Sequence, residues 1–227
     1  MTRGQILERM TVVWHAEANV ALEALWQPGV TAGIAGMPVI IAGHHPRLGG
    51  NMDGPACSEI VWQLARRGHP TLRFNWRGVG ASTGTSTVPW LPDESLPHLH
   101  EEIADLTCAI DHQAAGAPCV LVGVSFGAGP AAALAARHPL VQQLVLVAPP
   151  VGLLPFDLDA LAASAVSVGI VAAEQDTTTS LALIQREVAG RFRIEVIAGA
   201  NQGFAAGLAE LGRTVAGFLA GHEQNGS

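Results

Sequence analysis

The chain has 227 residues, of which 49% are hydrophobic and 14% are charged, and its formal net charge is −7. This composition excludes a disordered chain and predicts one globular domain over residues 1–227. Because the balance is acidic and no Lys/Arg cluster exceeds a pair, nucleic acid and anionic membranes are poor partners. The three cysteines lack metal-ligand spacing, so we expect no metal and no cofactor. We find neither a secretory signal nor an apolar run of spanning length, and we expect a cytoplasmic protein.

The first 36 residues read as antiparallel β structure. Residues 9–16 and 20–28 are two apolar runs separated by the short polar stretch Glu-Ala-Asn. Such a pair predicts a β-hairpin that precedes the rest of the domain.

From residue 37 to residue 220, apolar strands alternate with helical patterns. The predicted strands are residues 37–43, 70–78, 118–125, 141–150, 165–174 and 192–200. The predicted helices are residues 57–68, 100–116, 126–139, 178–190 and 205–221. The strands are continuous apolar runs, which are typical of a parallel sheet covered by helices on both faces. Residues 151–164 are too few for a separate cap domain, and residues 221–227 form a polar tail.

The stretch from Val120 to Pro130, VLVGVSFGAGP, contains Gly-x-Ser-x-Gly where a strand meets a helix. This is the pattern of a nucleophile elbow, in which a serine sits on a tight, strained turn. Gly123 and Gly127 have no Cβ and relieve the crowding around Ser125. The backbone N–H of Phe126 lies at a helix N-terminus, where it can stabilise an oxyanion. The alternative is a glycine-rich turn with an incidental serine.

Four segments resemble, in order and spacing, a family of small bacterial α/β-hydrolase proteins without a large cap. These segments read GHHPRLGGNMD, TLRFNWRGVGAS, VGVSFGAG and LVLVAPPV. The resemblance covers roughly residues 37–218 and implies the α/β-hydrolase fold. It also implies the activity of an esterase or thioesterase.

The resemblance implies a catalytic triad in the chain order nucleophile, acid, histidine. Ser125 is the nucleophile by this match, and Asp176 is the acid that follows the next-to-last strand. Asp176 is also a candidate N-cap of the helix that follows, in place of the role of acid or together with it. The position of the histidine holds Gln202, or Asn201 if the loop shifts by one residue. A carboxamide does not titrate near neutrality, so it cannot serve as the base.

Loss of the catalytic histidine is costly: in a serine protease it lowers kcat by a factor of about 10⁶, which corresponds to roughly 8 kcal/mol of activation barrier.

Four of the nine histidines fall on loops at the edge of the sheet where this fold places its catalytic residues. His44 and His45 follow the first parallel strand, whose loop supplies an oxyanion N–H in this fold. His98 and His100 have the alternative role of a solvated helix entrance. Any of the four is a candidate substitute base for Ser125.

Several further residues are candidates for substrate binding. Arg77 is a candidate anion binder, although a structural ion pair is the commoner role of an arginine at a strand end. Trp76, Phe126 and Phe156 are candidates for lining an apolar pocket, with core packing as the alternative. The other pocket candidates are Trp90, Leu153 and Leu158.

The sequence therefore favours a slow serine hydrolase that acts on a carboxylic ester or thioester through Ser125. Two alternatives stay open. The same pocket could carry out a non-hydrolytic reaction such as cyclisation, isomerisation or acyl transfer, or the protein could bind a ligand without turnover. The expected partner is a small acyl, ester or thioester ligand, and a homodimer is left open.

Overall fold

The structure is a computed structural model that describes residues 7–29, 36–89 and 99–223. Trp90 and His98, two residues singled out from the sequence, lie outside the described residues. The strands are β1 (Arg9–His15), β2 (Val20–Gln27), β3 (Val39–Ala42), β4 (Thr71–Phe74), β5 (Cys119–Val124), β6 (Val141–Val147), β7 (Ser167–Ala173) and β8 (Arg193–Ile197). The α-helices are α1 (Pro55–Ala65), α2 (His100–Ala114), α3 (Ala128–Ala135), α4 (Leu158–Ala163), α5 (Leu181–Val188) and α6 (Leu208–Glu223).

The eight strands form one sheet in the order β1-β2-β4-β3-β5-β6-β7-β8. The predicted hairpin is confirmed: β1 and β2 pair antiparallel, and β2 pairs antiparallel with β4. All pairings from β4 through β3 and β5 to β8 are parallel. The predicted α/β-hydrolase sheet, mostly parallel with an N-terminal antiparallel hairpin, is therefore confirmed.

Two hydrophobic cores lie on opposite faces of this sheet. One contains Leu106 and Ile110 of α2 together with the alanines of α3. The other contains Ile60 of α1 and Leu211 and Val215 of α6. Every residue of β3 and β5 is buried because helices cover both faces, which explains why these strands are continuously apolar. The carboxyl ends of the parallel strands meet at one edge, where this class of fold binds ligands.

Two elements differ from the sequence prediction. The strand expected over residues 70–78 ends at Phe74, and the chain then turns at Gly78, whose φ is +75°. The short helix α4 was not predicted. It begins after Asp157, whose side chain accepts a hydrogen bond from the N–H of Ala160 at 2.9 Å. None of the helices that the structure describes is long and apolar enough to cross a lipid bilayer.

Candidate active site

Ser125 stands at a sharp turn between β5 and α3. Its φ is +52°, a left-handed conformation that is strained for a residue with a side chain. A Cβ added at Gly127 would lie 2.2 Å from the carbonyl oxygen of Ala42, and one added at Gly123 would lie 2.6 Å from Cα of Ala128. Both positions therefore require glycine, and the turn has the geometry of a nucleophile elbow.

The side chain of Ser125 borders a pocket of about 340 Å³ at the carboxyl edge of the sheet. Most of the wall comes from the loop between β3 and α1. The lining residues are His44, His45, Leu48, Gly49, Gly50, Asn51, Gly54, Pro55, Ser125, Gln202 and Gly203. Ser125 is 9% exposed and borders this pocket, so its hydroxyl is reached through the pocket.

Gln202 follows β8 and brings its carboxamide to the serine. Its Nε2 donates a hydrogen bond to Oγ of Ser125 at 3.1 Å. On its other side, Oε1 of Gln202 accepts a hydrogen bond from the hydroxyl of Thr178. The amide is thus held between two hydroxyl groups, and it presents a donor to Ser125 where a catalytic base would present an acceptor.

Asp176 lies on the loop between β7 and α5 and is 7% exposed. Its Oδ1 accepts hydrogen bonds from the backbone N–H groups of Thr178, at 2.7 Å, and Thr179, at 3.1 Å. Its Oδ2 is buried and has no partner among the described residues. The alternative role of helix N-cap is wrong for Asp176, because the hydroxyl of Ser180 caps α5 by accepting from the N–H of Leu183.

Residues 49–177 match the model of a protein family described as serine aminopeptidase, S33. The match covers more than half of the chain and includes both Ser125 and Asp176. The chain belongs to this family. The matched region ends before the loop that holds Gln202, so this comparison does not cover position 202.

Other known proteins are similar to this chain in sequence or in fold. An α/β serine hydrolase homologue from Coxiella burnetii is 26% identical, with a TM-score of 0.74 over 91% of this chain and 95% of that one. A lid-free α/β serine hydrolase from Xanthomonas campestris is 18% identical and shares the fold, with a TM-score of 0.78 over 95% and 94% of the two chains. An uncharacterized protein of Rickettsia prowazekii is 28% identical over 149 residues, which span 63% of this chain and 58% of that relative.

In this member of the serine aminopeptidase family, no described histidine hydrogen-bonds to Ser125. His45 uses both ring nitrogens: Nδ1 accepts from the N–H of Arg47, and Nε2 donates to the carbonyl of Pro89, both at 3.1 Å. His44 lines the pocket, and burial lowers its pKa from the ordinary value. His100 borders a different depression, between α2 and α3. The substitute-base hypothesis therefore gains no contact from these three residues.

The substrate-binding role predicted for Arg77 is not supported. Its guanidinium donates to both carboxylate oxygens of Asp105, at 2.9 and 2.6 Å, and to Glu101 at 2.8 Å. Asp105 is fully buried on α2, and it also lies 3.4 Å from Nδ1 of His15. Arg77 thus forms the structural ion pair that was the alternative, and it ties the loop after β4 to α2.

The aromatic residues predicted to line the pocket are not among its lining residues. Trp76 and Phe126 are 2% and 3% exposed, and their rings meet edge-on with centroids 5.9 Å apart. The indole N–H of Trp76 also points to the carbonyl of Gly43 at 3.4 Å. Phe156 is partly buried against the core. Trp76 and Phe126 thus pack against the loop after β3 and the elbow.

Sequence reasoning missed two contributors to the site. The loop with Gly49, Gly50 and Asn51 forms much of the pocket wall, and its density of glycine and proline was the available indication. Thr178 was not singled out, because its contact with Gln202 joins residues 24 positions apart in loops that meet only in the folded chain.

Proposed function

We propose that the protein is a slow serine hydrolase that cleaves carboxylic esters or thioesters through Ser125. The observation that carries the proposal is Ser125 itself, held at a strained elbow with its hydroxyl at the wall of a pocket. Strained backbone of this kind costs about 1–3 kcal/mol and persists mainly where it serves function.

The chemistry assigned to the site is acyl transfer. Oγ of Ser125 adds to the acyl carbon, the carbon–sulfur or carbon–oxygen bond to the leaving group breaks, and the serine proton passes to the leaving group or to water. Water then cleaves the acyl-serine ester and releases a carboxylic acid. The N–H of Phe126, together with an N–H from the loop at His44 and His45, would stabilise the oxyanion in both steps.

The lining of the pocket favours esters over peptides with a free amino terminus. No Asp or Glu is among the described residues that line it, so nothing there would pair with an ammonium group. A peptide leaving group must also be protonated as it departs, which in serine hydrolases is the task of the histidine. A thiolate, with a pKa near 8.5 for a cysteine-like thiol, leaves without that help.

Turnover is expected to be slow because the partner of Ser125 is a carboxamide. Gln202 neither accepts the serine proton nor returns it, whichever end of the amide faces the hydroxyl. Binding and the oxyanion donors alone can still accelerate hydrolysis by about 10³–10⁴ over water.

The test compares the natural protein with Ser125→Ala and Gln202→His, using an activated aryl ester and an aryl thioester. We expect measurable hydrolysis that Ser125→Ala abolishes. Gln202→His is expected to raise kcat by about 100-fold, because its imidazole could accept the serine proton and offer an N–H to the unpaired Oδ2 of Asp176. Gln202→Met, of similar size and without a base, is the matched control.

A fluorophosphonate provides a second measurement that does not depend on turnover. Intact mass spectrometry should show one adduct on the natural protein and none on Ser125→Ala. If neither esters nor the fluorophosphonate react with the natural protein or with Gln202→His, the hydrolase proposal is wrong.

A second candidate function is ligand binding without turnover. It is favoured by the hydrogen bond that Gln202 donates to Oγ of Ser125, because this bond makes the oxygen a poorer nucleophile. Saturable binding by the natural protein, with no product and no fluorophosphonate adduct, would support it.

A further inference from the structure

We propose that the pocket at Ser125 binds the carboxylate group of a small organic acid, and binds it more tightly than the corresponding neutral ester or amide. The inference rests on the pocket of the proposed function, in which such an acid is the hydrolysis product. It does not require that hydrolysis occur. Its basis is the number and direction of the hydrogen-bond donors that meet at Ser125.

The hydroxyl of Ser125 is free to donate. In a triad, the serine proton is accepted by the neutral imidazole, so the serine oxygen cannot offer that proton to a ligand. Here Nε2 of Gln202 donates to Oγ, and no other described residue hydrogen-bonds to this hydroxyl. The serine proton is therefore available to an acceptor inside the pocket.

Other donors surround the same point. The carboxamide nitrogen of Gln202 has a second hydrogen that is not used by Oγ of Ser125. Asn51 is also a lining residue, and its Oδ1 accepts the N–H of Asp53 at 2.9 Å, which leaves the amide NH₂ of Asn51 as a further donor. With the oxyanion N–H of Phe126, these groups provide donors for both oxygens of a carboxylate, whereas an ester carbonyl offers one strong acceptor.

The charges near the pocket permit an anion. The described lining includes no Asp or Glu. Asp176, the predicted acid of the triad, is not part of the lining. Its Oδ1 accepts hydrogen bonds from the N–H groups of Thr178 and Thr179. Burial lowers the pKa of both lining histidines, His44 and His45, and so disfavours their charged forms. Recognition therefore depends on hydrogen bonds to the anion rather than on a positive charge.

Thr178 is the positioning residue of this arrangement. Its hydroxyl donates to Oε1 of Gln202, which directs the NH₂ end of the amide toward Ser125. Without that hydroxyl, the amide could turn its oxygen to the pocket, where it would repel a carboxylate. The donor character of the site thus depends on a residue that need not touch the ligand.

The experiment measures binding of acetate, butanoate, hexanoate and benzoate by calorimetry, each beside its primary amide and methyl ester. We expect at least one carboxylate to bind about tenfold or more tightly than its matched neutral analogues, a difference of about 1.4 kcal/mol. Ser125→Ala and Gln202→Glu should each lower the affinity for that carboxylate by about tenfold or more. Thr178→Val should also lower this affinity, whereas Thr178→Ser, which keeps the hydroxyl, should leave it unchanged.

Gln202→His separates this inference from the proposed hydrolysis. At about pH 8 a free imidazole is neutral and can accept the serine proton, so carboxylate binding should weaken while ester hydrolysis rises. Melting temperatures without ligand establish that each variant is folded. Equal affinity for a carboxylate and its amide, or unchanged affinity in Ser125→Ala, would overturn the inference, and neither result bears on whether esters are cleaved.

Discussion

The elbow at Ser125 and the loop at Gln202 meet in one hydrogen bond, but they differ in how the fold constrains them. The elbow follows β5, a central strand buried along its whole length, and its two glycines touch neighbouring backbone. Gln202 follows β8, an edge strand with exposed positions, and is flanked by the exposed residues Asn201 and Gly203. Packing of the chain therefore restricts which residues the elbow can have, whereas it does not restrict the side chain at position 202 in the same way.

This difference bears on the proposed function, in which the serine of the elbow stands beside a carboxamide rather than a base. Residues of the elbow serve packing and chemistry together, so a change there alters stability. The side chain at position 202 reaches into the pocket from a loop whose anchor is the fully buried Phe204. A histidine and a glutamine are therefore both compatible with the fold, while only the histidine completes a triad.

The largest expected effect comes from breaking the elbow with Gly127→Ala. The added Cβ would overlap the carbonyl of Ala42, and backbone on both sides must move. We expect a loss of at least about 3 kcal/mol in unfolding free energy, measured by urea denaturation. Gly217→Ala is the control, because nothing lies within 4 Å of its Cβ; it should add about 0.5–1 kcal/mol. A loss below about 1 kcal/mol in Gly127→Ala would contradict the packing argument.

The next largest effect is on the pH dependence of stability, and it comes from α2 rather than from the pocket. Glu102 of α2 is 1% exposed, and burial, assisted by the nearby Glu101 and Asp105, raises its pKa to about 7 from 4.5. The folded chain holds this proton to a higher pH than the unfolded chain does. The contribution of Glu102 to stability is therefore present below about pH 4.5 and is lost as the pH rises to about 7.

Glu102→Gln should remove this dependence. Relative to the natural protein, the variant should gain up to about 3 kcal/mol at pH 8 and little at pH 4.5, as measured by urea denaturation at both values. Glu210→Gln, which changes an exposed glutamate of α6, is the control. An equal shift at the two pH values would show that Glu102 titrates normally.

A smaller effect should come from the strain at Ser125. Ser125→Gly and Ser125→Ala both remove the hydroxyl, but only glycine accommodates a φ of +52° without strain. We expect the glycine variant to be more stable than the alanine variant by about 1 kcal/mol in thermal and urea unfolding. Equal stabilities would mean that the turn stores no strain.

The smallest effect is expected at the loop. Gln202→Leu removes both hydrogen bonds of the amide, yet the side chain is partly exposed and its partners are hydroxyls that water can reach at the pocket. Its unfolding free energy should change by less than about 0.5 kcal/mol. A loss comparable to that of Gly127→Ala would remove the contrast between the two regions.

The sequence alone predicts the parts of this molecule that depend on local chemistry. The hairpin over β1 and β2 follows from two apolar runs around a short polar turn, and the parallel strands follow from their continuous hydrophobicity. Gly123 and Gly127 identify the elbow because no other residue fits there. The helix α4 was missed since it is only six residues long and depends on one cap, Asp157.

Contacts between distant loops could not be predicted in the same way. Arg77 pairs with Asp105, 28 positions away, and this pairing depends on how α2 packs on the sheet. Trp76 and Phe126 looked like pocket residues because large apolar side chains occur both in cores and in binding sites. Only the folded arrangement shows that they are not among its lining residues.

The unpaired Oδ2 of Asp176 has a consequence for directed evolution. The codons for glutamine and histidine differ only in their third base, so a single transversion at codon 202 would place an imidazole beside Ser125 and Thr178. The N–H of Thr178 already binds Oδ1 of Asp176, whose Oδ2 has no partner among the described residues. A library made by error-prone amplification and selected for growth on an ester should therefore recover this change early and repeatedly.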